Sequence, residues 1–72
     1  MKTFYYTVEL DVVDHEYVGD TKTVYIYSIT NNKPHLIDQI KTDYMNCSED
    51  VARNFLKDEL SLNDEKFMLV EL

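Results

Sequence analysis

Residues 3–13 read Thr-Phe-Tyr-Tyr-Thr-Val-Glu-Leu-Asp-Val-Val, and their alternation decides the fold class. Phe4, Tyr6, Val8, Leu10 and Val12 recur at every second position, with Tyr5, Thr7, Glu9, Asp11 and Val13 between them. Successive side chains of a strand point to opposite faces, so this period predicts one apolar face and one aromatic, acidic face. At about 3.3 Å per residue such a strand spans roughly 35 Å, long enough to be the central strand of a small sheet.

The flanking sequence supplies the other elements. Residues 14–20, Asp-His-Glu-Tyr-Val-Gly-Asp, hold the only glycine and predict a hairpin loop around Gly19. Residues 21–30 are rich in β-branched and aromatic side chains and predict a second strand, with Val24, Ile26 and Ser28 on one face and Tyr25, Tyr27 and Ile29 on the other. Asn31-Asn32-Lys33-Pro34 reads as a turn, with Pro34 expected to end ladder pairing. Residues 35–45 fit two periods. Leu36, Ile40 and Tyr44 share a strand face, whereas Ile37, Ile40 and Tyr44 also match helical spacing; the scarcity of good helix formers favours a third strand.

Residues 48–60 predict one helix, with Ser48 as the expected cap and Glu49 and Asp50 at the positive end of its dipole. Ala52, Phe55 and Leu56, flanked by Val51 and Leu60, form its apolar stripe; Glu49, Asp50, Arg53, Asn54, Lys57 and Asp58 are expected to face water, and Glu49 and Arg53 stand four apart as an ion pair. A polar loop over 61–65 then leads to a final strand over 66–72. The order is β-β-β-α-β, a single α+β domain over residues 1–72. One mostly antiparallel four-stranded sheet carries the helix on one face, and the last strand pairs parallel beside the first in spatial order 3-2-1-4.

Seventy-two residues lie near the lower limit for folding without staples, and a 44% hydrophobic content suffices for one core. A lone cysteine, Cys47, permits no internal disulfide, and no signal-peptide apolar core follows Met1 and Lys2. No apolar run approaches the ~20 residues that span a bilayer, so a cytoplasmic protein is expected. Fourteen acids against seven bases give a net charge of −7. Five acids and one lysine leave −4 over residues 1–20; three lysines and one aspartate leave +2 over 21–42; eight acids and three bases leave −5 over 43–72. Such a charge disfavours nucleic acid and acidic membranes, which are bound chiefly through Lys and Arg. It suits a basic protein surface, often one that itself binds nucleic acid, and equally the bare requirement of solubility.

No residue pattern defines an active site. Asp11, Asp14, Glu16 and Asp20 lack the alternating acids, sixth-position glycine and distal glutamate of a calcium loop, and a solvated acidic loop explains them better. His15 and His35 sit in separate expected turns, without a second ligand at zinc spacing. Cys47 precedes a helix start that would lower a thiol pKa, but Glu49 and Asp50 oppose thiolate formation and no base accompanies it. No enzyme, cofactor or metal site is expected.

The aromatic residues are more informative. Six tyrosines, at positions 5, 6, 17, 25, 27 and 44, exceed what one core needs. A single helix covers a single sheet face; if that is the face of Phe4, Tyr6, Val8, Leu10 and Val12, then Tyr5, Glu9 and Asp11 lie on the other, with Tyr25 or Tyr27 beside them. Tyrosine is enriched at binding hot spots, and cross-strand aromatic pairing that stabilises the sheet alone accounts for the same residues. The candidate partner-binding set is Tyr5, Glu9, Asp11, Asp14, Glu16, Tyr17, Asp20, Tyr25 and Tyr27.

Over residues 40–72, Cys-Ser-Glu-Asp-Val-Ala-Arg at the helix start and Phe-Met-Leu-Val-Glu-Leu at the end resemble the small inhibitors that tailed phages make early in infection. That resemblance implies an anti-defence or inhibitory protein that blocks a host nucleic-acid enzyme or defence complex, in part by mimicking phosphate charge. A non-enzymatic assembly module that homodimerises through the open sheet face or an edge strand is the competing expectation.

Overall fold

The computed structural model describes the backbone of residues 2–13 and 16–72 and the side chains of residues 2–11, 21–63 and 65–72. Strands β1 (Lys2–Val13), β2 (Glu16–Thr30) and β3 (Lys33–Asp43) precede helix α1 (Ser48–Glu59); a short 3₁₀ turn (Asp64–Lys66) then leads into β4 (Phe67–Glu71). The sheet order is β3-β2-β1-β4. β2 pairs antiparallel with both β1 and β3, while β4 pairs parallel with β1. The expected α+β fold and strand order are therefore present.

The registers explain why. Val8 stands opposite Val24 and Tyr6 opposite Ile26, so the apolar alternations of β1 and β2 coincide on one face. Helix α1 lies on that face across β1, β2 and β4. Phe4, Tyr6, Val24, Ile26, Ala52, Leu56 and Phe67 form the buried core, bordered by half-buried Val51 and Phe55. Phe4 meets Phe67 edge to face at 6.0 Å, which ties the first strand to the last and adds about 1 kcal/mol beyond area burial. Helix cover ends before Leu10, which shares this face yet is 45% exposed.

Several details depart from sequence expectation. β2 begins at Glu16, so the anticipated loop over 14–20 is mostly strand; Tyr17 and Val18 are good strand formers. Leu10 pairs with Lys22 but Val12 pairs with Tyr17, and the extra residues of β2, Gly19 among them, lie in that register shift. Asp14 and His15 lie outside the described residues. The β2–β3 turn is the two-residue Asn31-Asn32, both left-handed at φ 53° and 64°, which matches the strand twist and which Asn tolerates. Pro34 continues the ladder opposite Ile29 rather than ending it, because an edge strand accepts proline where its missing N–H faces outward.

β3 does not keep one alternation. Ile26 faces Asp38 while Tyr27 faces Leu36, so Ile37 is an extra residue. The bulge lets Ile37 and Ile40 pack against the core and leaves Leu36 on the opposite face, separating Leu36 from Ile40. Tyr44 lies beyond the strand.

The cap also differs from expectation. Cys47 is the N-cap, with extended backbone and no side-chain cap bond, and Ser48 is the first helical residue. The preceding turn is anchored instead by Lys22, a buried lysine of β2. Its ammonium donates to the Asn46 carbonyl and lies 5.8 Å from the Tyr44 ring centre. The Asn46 side chain donates to Thr42 Oγ1 at 2.8 Å. Arg53, expected to face water, is half-buried with its guanidinium 5.6 Å from the Phe67 ring centre, and it keeps the expected pairing with Glu49 at 3.5 Å. At the other end Leu60 is exposed, and left-handed Ser61 lets the Leu62 amide reach the Leu56 carbonyl.

Leu56 is fully buried, whereas Leu60, one turn on, is 42% exposed. Leu56→Ala should lower unfolding free energy by about 2–5 kcal/mol, as cavity-forming Leu substitutions do. Leu60→Ala should lower it far less, and the urea midpoints of both variants check the pair.

Candidate functional site: the open sheet face

The face turned away from α1 is built by the opposite parity of each strand. Tyr5 stands across from Tyr27, Thr7 from Tyr25 and Glu9 from Thr23. From β3, Lys41 stands beside Thr23, Gln39 beside Tyr25 and Leu36 beside Tyr27; from β4, Val70 stands beside Tyr5. Sequence alternation thus brings five of the anticipated partner-binding residues together: Tyr5, Glu9, Asp11, Tyr25 and Tyr27. Tyr17 pairs with Val12, Glu16 pairs with Val13, and Asp20 belongs to β2, but their side chains, like Asp14 as a whole, lie outside the described residues.

The face has two halves of different chemistry. Toward the Asn31-Asn32 turn, half-buried Tyr5 and Tyr27 are surrounded by the exposed apolar side chains of Ile29, Leu36, Met68 and Val70. Toward the other end it is polar, and its carboxylates are held in place. Asp11 is a strand residue rather than a loop residue. It accepts from Thr21 Oγ1 at 2.5 Å and Thr23 Oγ1 at 3.2 Å, and Lys41 Nζ stands 3.6 Å away. Glu9 accepts from the Tyr25 hydroxyl at 3.0 Å.

These contacts set the titration. The Thr21 hydrogen bond is the largest influence on Asp11; desolvation opposes it, the charge of Lys41 and the Thr23 hydrogen bond reinforce it, and the pKa is lowered. Tyr25 shifts the other way: the hydrogen bond to Glu9, desolvation and the Glu9 charge favour its neutral phenol and raise its pKa. The face therefore favours an ionised Asp11 and a protonated Tyr25, each held by its hydrogen bonds.

The exposed apolar ring and the supports of Asp11 escaped sequence reasoning. Met68 and Val70 read there only as part of a closing strand, and Thr21, Thr23 and Lys41 carry no signal until the β1–β2–β3 register is known. The alternation of β4 against the buried Phe67 was the available signal for Met68 and Val70. On the helix side, burial, with Glu71, Glu49 and Cys47 nearby, raises the Tyr6 pKa, which fits a core role. Cys47 is exposed. Among the described residues, no group of three or more His, Cys, Asp or Glu side chains could hold a metal ion, and no helix is long and apolar enough to cross a membrane. No protein family, curated protein or solved structure matches the chain.

Because the folded pKa of Asp11 lies below its unfolded value, the unfolded chain binds more protons between the two values, and stability rises with pH across that window. Asp11→Asn should remove that contribution. Its stability deficit relative to the parent should be full above the unfolded carboxylate pKa of about 3.9 and shrink as pH falls through the folded value. Denaturation midpoints along a pH series, with an NMR titration of the Asp11 carboxyl, measure it.

Proposed function

We propose that this chain is a small acidic protein-binding module that docks a basic surface of another protein through its open sheet face. The observation that carries the proposal is the joint placement of Tyr5, Tyr25 and Tyr27 with Glu9 and Asp11 on a face that no element of the described chain covers. Tyrosines supply broad contact area at small entropic cost, and carboxylates already fixed by Tyr25, Thr21, Thr23 and Lys41 meet a cationic partner with little further ordering. The net charge of −7 steers encounter toward positive surfaces, typically those of nucleic-acid-binding proteins. The proposal extends the phage resemblance to its consequence: a cytoplasmic inhibitor, encoded by a phage or mobile element, that occupies a host enzyme or defence complex where phosphates would bind. It involves no catalytic step, cofactor or direct contact with nucleic acid.

The apolar half of the same face favours a second reading. Ile29, Leu36, Met68 and Val70 around Tyr5 and Tyr27 form the kind of patch that buries itself in a homodimer.

Capture from a bacterial lysate separates the two when matched baits are used. The parent chain should retain a basic nucleic-acid-processing protein at low salt and release it at high salt, because screening weakens exposed charge pairs. A bait carrying Glu9→Gln, Asp11→Asn, Asp14→Asn, Glu16→Gln and Asp20→Asn should lose at least about tenfold in affinity, equivalent to ~1.4 kcal/mol. Equal binding by the neutralised bait removes charge mimicry. A salt-insensitive dimer in sedimentation, lost on Tyr5→Ala, establishes the assembly reading.

A further inference from the structure

On the helix side, the sheet runs past the C-terminal end of α1. The helix closes at Glu59 with Leu60 as its C-cap, while β2 continues to Thr30 at the Asn31-Asn32 turn. Beside this step the β3 bulge turns Ile37 toward the core. The helix end, the bulge and the floor of β1 and β2 enclose an open-sided cavity of about 410 Å³. Small-molecule sites occupy about 300–1,000 Å³ and combine apolar walls with a few convergent polar groups.

The lining is divided in the same way. Phe4, Ile37 and Leu60 supply apolar wall, and Lys2, Ser28 and Thr30 supply polar groups from two adjacent strands. Phe4 is buried and Ile37 half-buried, whereas Lys2, Thr30 and Leu60 are exposed at the mouth. Among the described residues, no hydrogen bond or ion pair engages the Lys2 ammonium or the hydroxyls of Ser28 and Thr30. Lys22, Lys41 and Arg53, by contrast, each meet a partner. Lys2 is also the one charged residue in the described lining; Asp38 and Glu59, sequence neighbours of Ile37 and Leu60, lie outside it.

We infer that this cavity binds a small organic carboxylate with an unbranched apolar tail. The carboxylate accepts a charge-assisted hydrogen bond from Lys2 and further ones from the Ser28 and Thr30 hydroxyls, and the tail displaces water from Phe4, Ile37 and Leu60. An uncharged tail of the same length leaves the ammonium unpaired. A polyanion such as a nucleotide meets a single lining cation on a chain of net charge −7, which repels its remaining charges. The cavity lies across the sheet from Glu9, Asp11 and Tyr25, so the inference stands apart from the protein partner proposed above.

The test titrates the 72-residue chain at neutral pH with octanoate, and with 1-octanol as the uncharged control, and reads backbone amides by NMR. Octanoate should give saturable shifts at Phe4, Ser28, Ile37 and Leu60, with a dissociation constant of about 1 mM or tighter. Octanol should bind about fivefold more weakly, the worth of one partly exposed ion pair. Lys2→Gln should weaken octanoate by that same factor and leave octanol unchanged, a split that loss of fold alone does not produce. The comparison of the two probes on the parent chain keeps the question decidable if the variant fails to fold. Equal affinity for octanoate and octanol overturns the carboxylate assignment. Shifts centred on Tyr5, Tyr27 and Met68 mean that the tail adsorbs to the open face, and they overturn the site. Absence of saturable shifts up to about 10 mM octanoate overturns the inference outright.

Discussion

A twelve-residue helix is about 18 Å long, while the molecule measures 41 Å in its longest dimension. That mismatch governs the molecule. One helix can dry one face of the sheet over part of its length, and the buried residues cluster where it lies: Phe4, Tyr6, Val24, Ile26 and Phe67 under Ala52 and Leu56. Beyond its reach even residues of the correct parity, such as Leu10, return to solvent. The opposite face has no such cover, and its carboxylates are satisfied across strands, Glu9 by Tyr25 and Asp11 by Thr21, Thr23 and Lys41. The extent of the core and the uncovered face both follow from the shortage of helix.

Within that frame charge is placed with some economy. The buried Lys22 ammonium is satisfied by the Asn46 carbonyl and the Tyr44 ring, and it pins the turn that delivers the chain to α1. Across the sheet Lys41 and two threonines hold Asp11. Unpaired, either charge would weaken the fold; partnered, each fixes a local geometry. Glu9 and Asp11 differ from the carboxylates of a mobile surface because their orientations are set by the folded sheet before any partner arrives.

The alternations of residues 3–13 and 21–30 contain most of this architecture, because period-two patterning fixes both strand character and face. Helix position followed from the Ala52, Phe55, Leu56 stripe, and parallel closure by β4 from chain connectivity. What escaped was the consequence of irregularity. One inserted residue at Ile37 reverses the faces of β3, and no local pattern announces it. Strand continuation through Glu16–Asp20 was hidden by acids and a glycine that also suit a loop. At the site, Tyr5, Glu9, Asp11, Tyr25 and Tyr27 were legible from parity alone. Leu36, Lys41, Met68 and Val70 required the register of neighbouring strands, which is a property of pairing rather than of any single segment.

The contact between Phe4 and Phe67 joins positions almost at opposite ends of the described chain. During synthesis the first hairpin emerges from the ribosome well before Phe67 does, and until it arrives the Phe4 ring lacks its partner and β1 has a bare edge. Loop-closure entropy must be met before that last contact forms, so topology of this kind folds more slowly than a local one. The nascent chain therefore passes through an interval in which its longest apolar strands lack their last partner, and the five acids of residues 9–20 set like charge against its association in that interval.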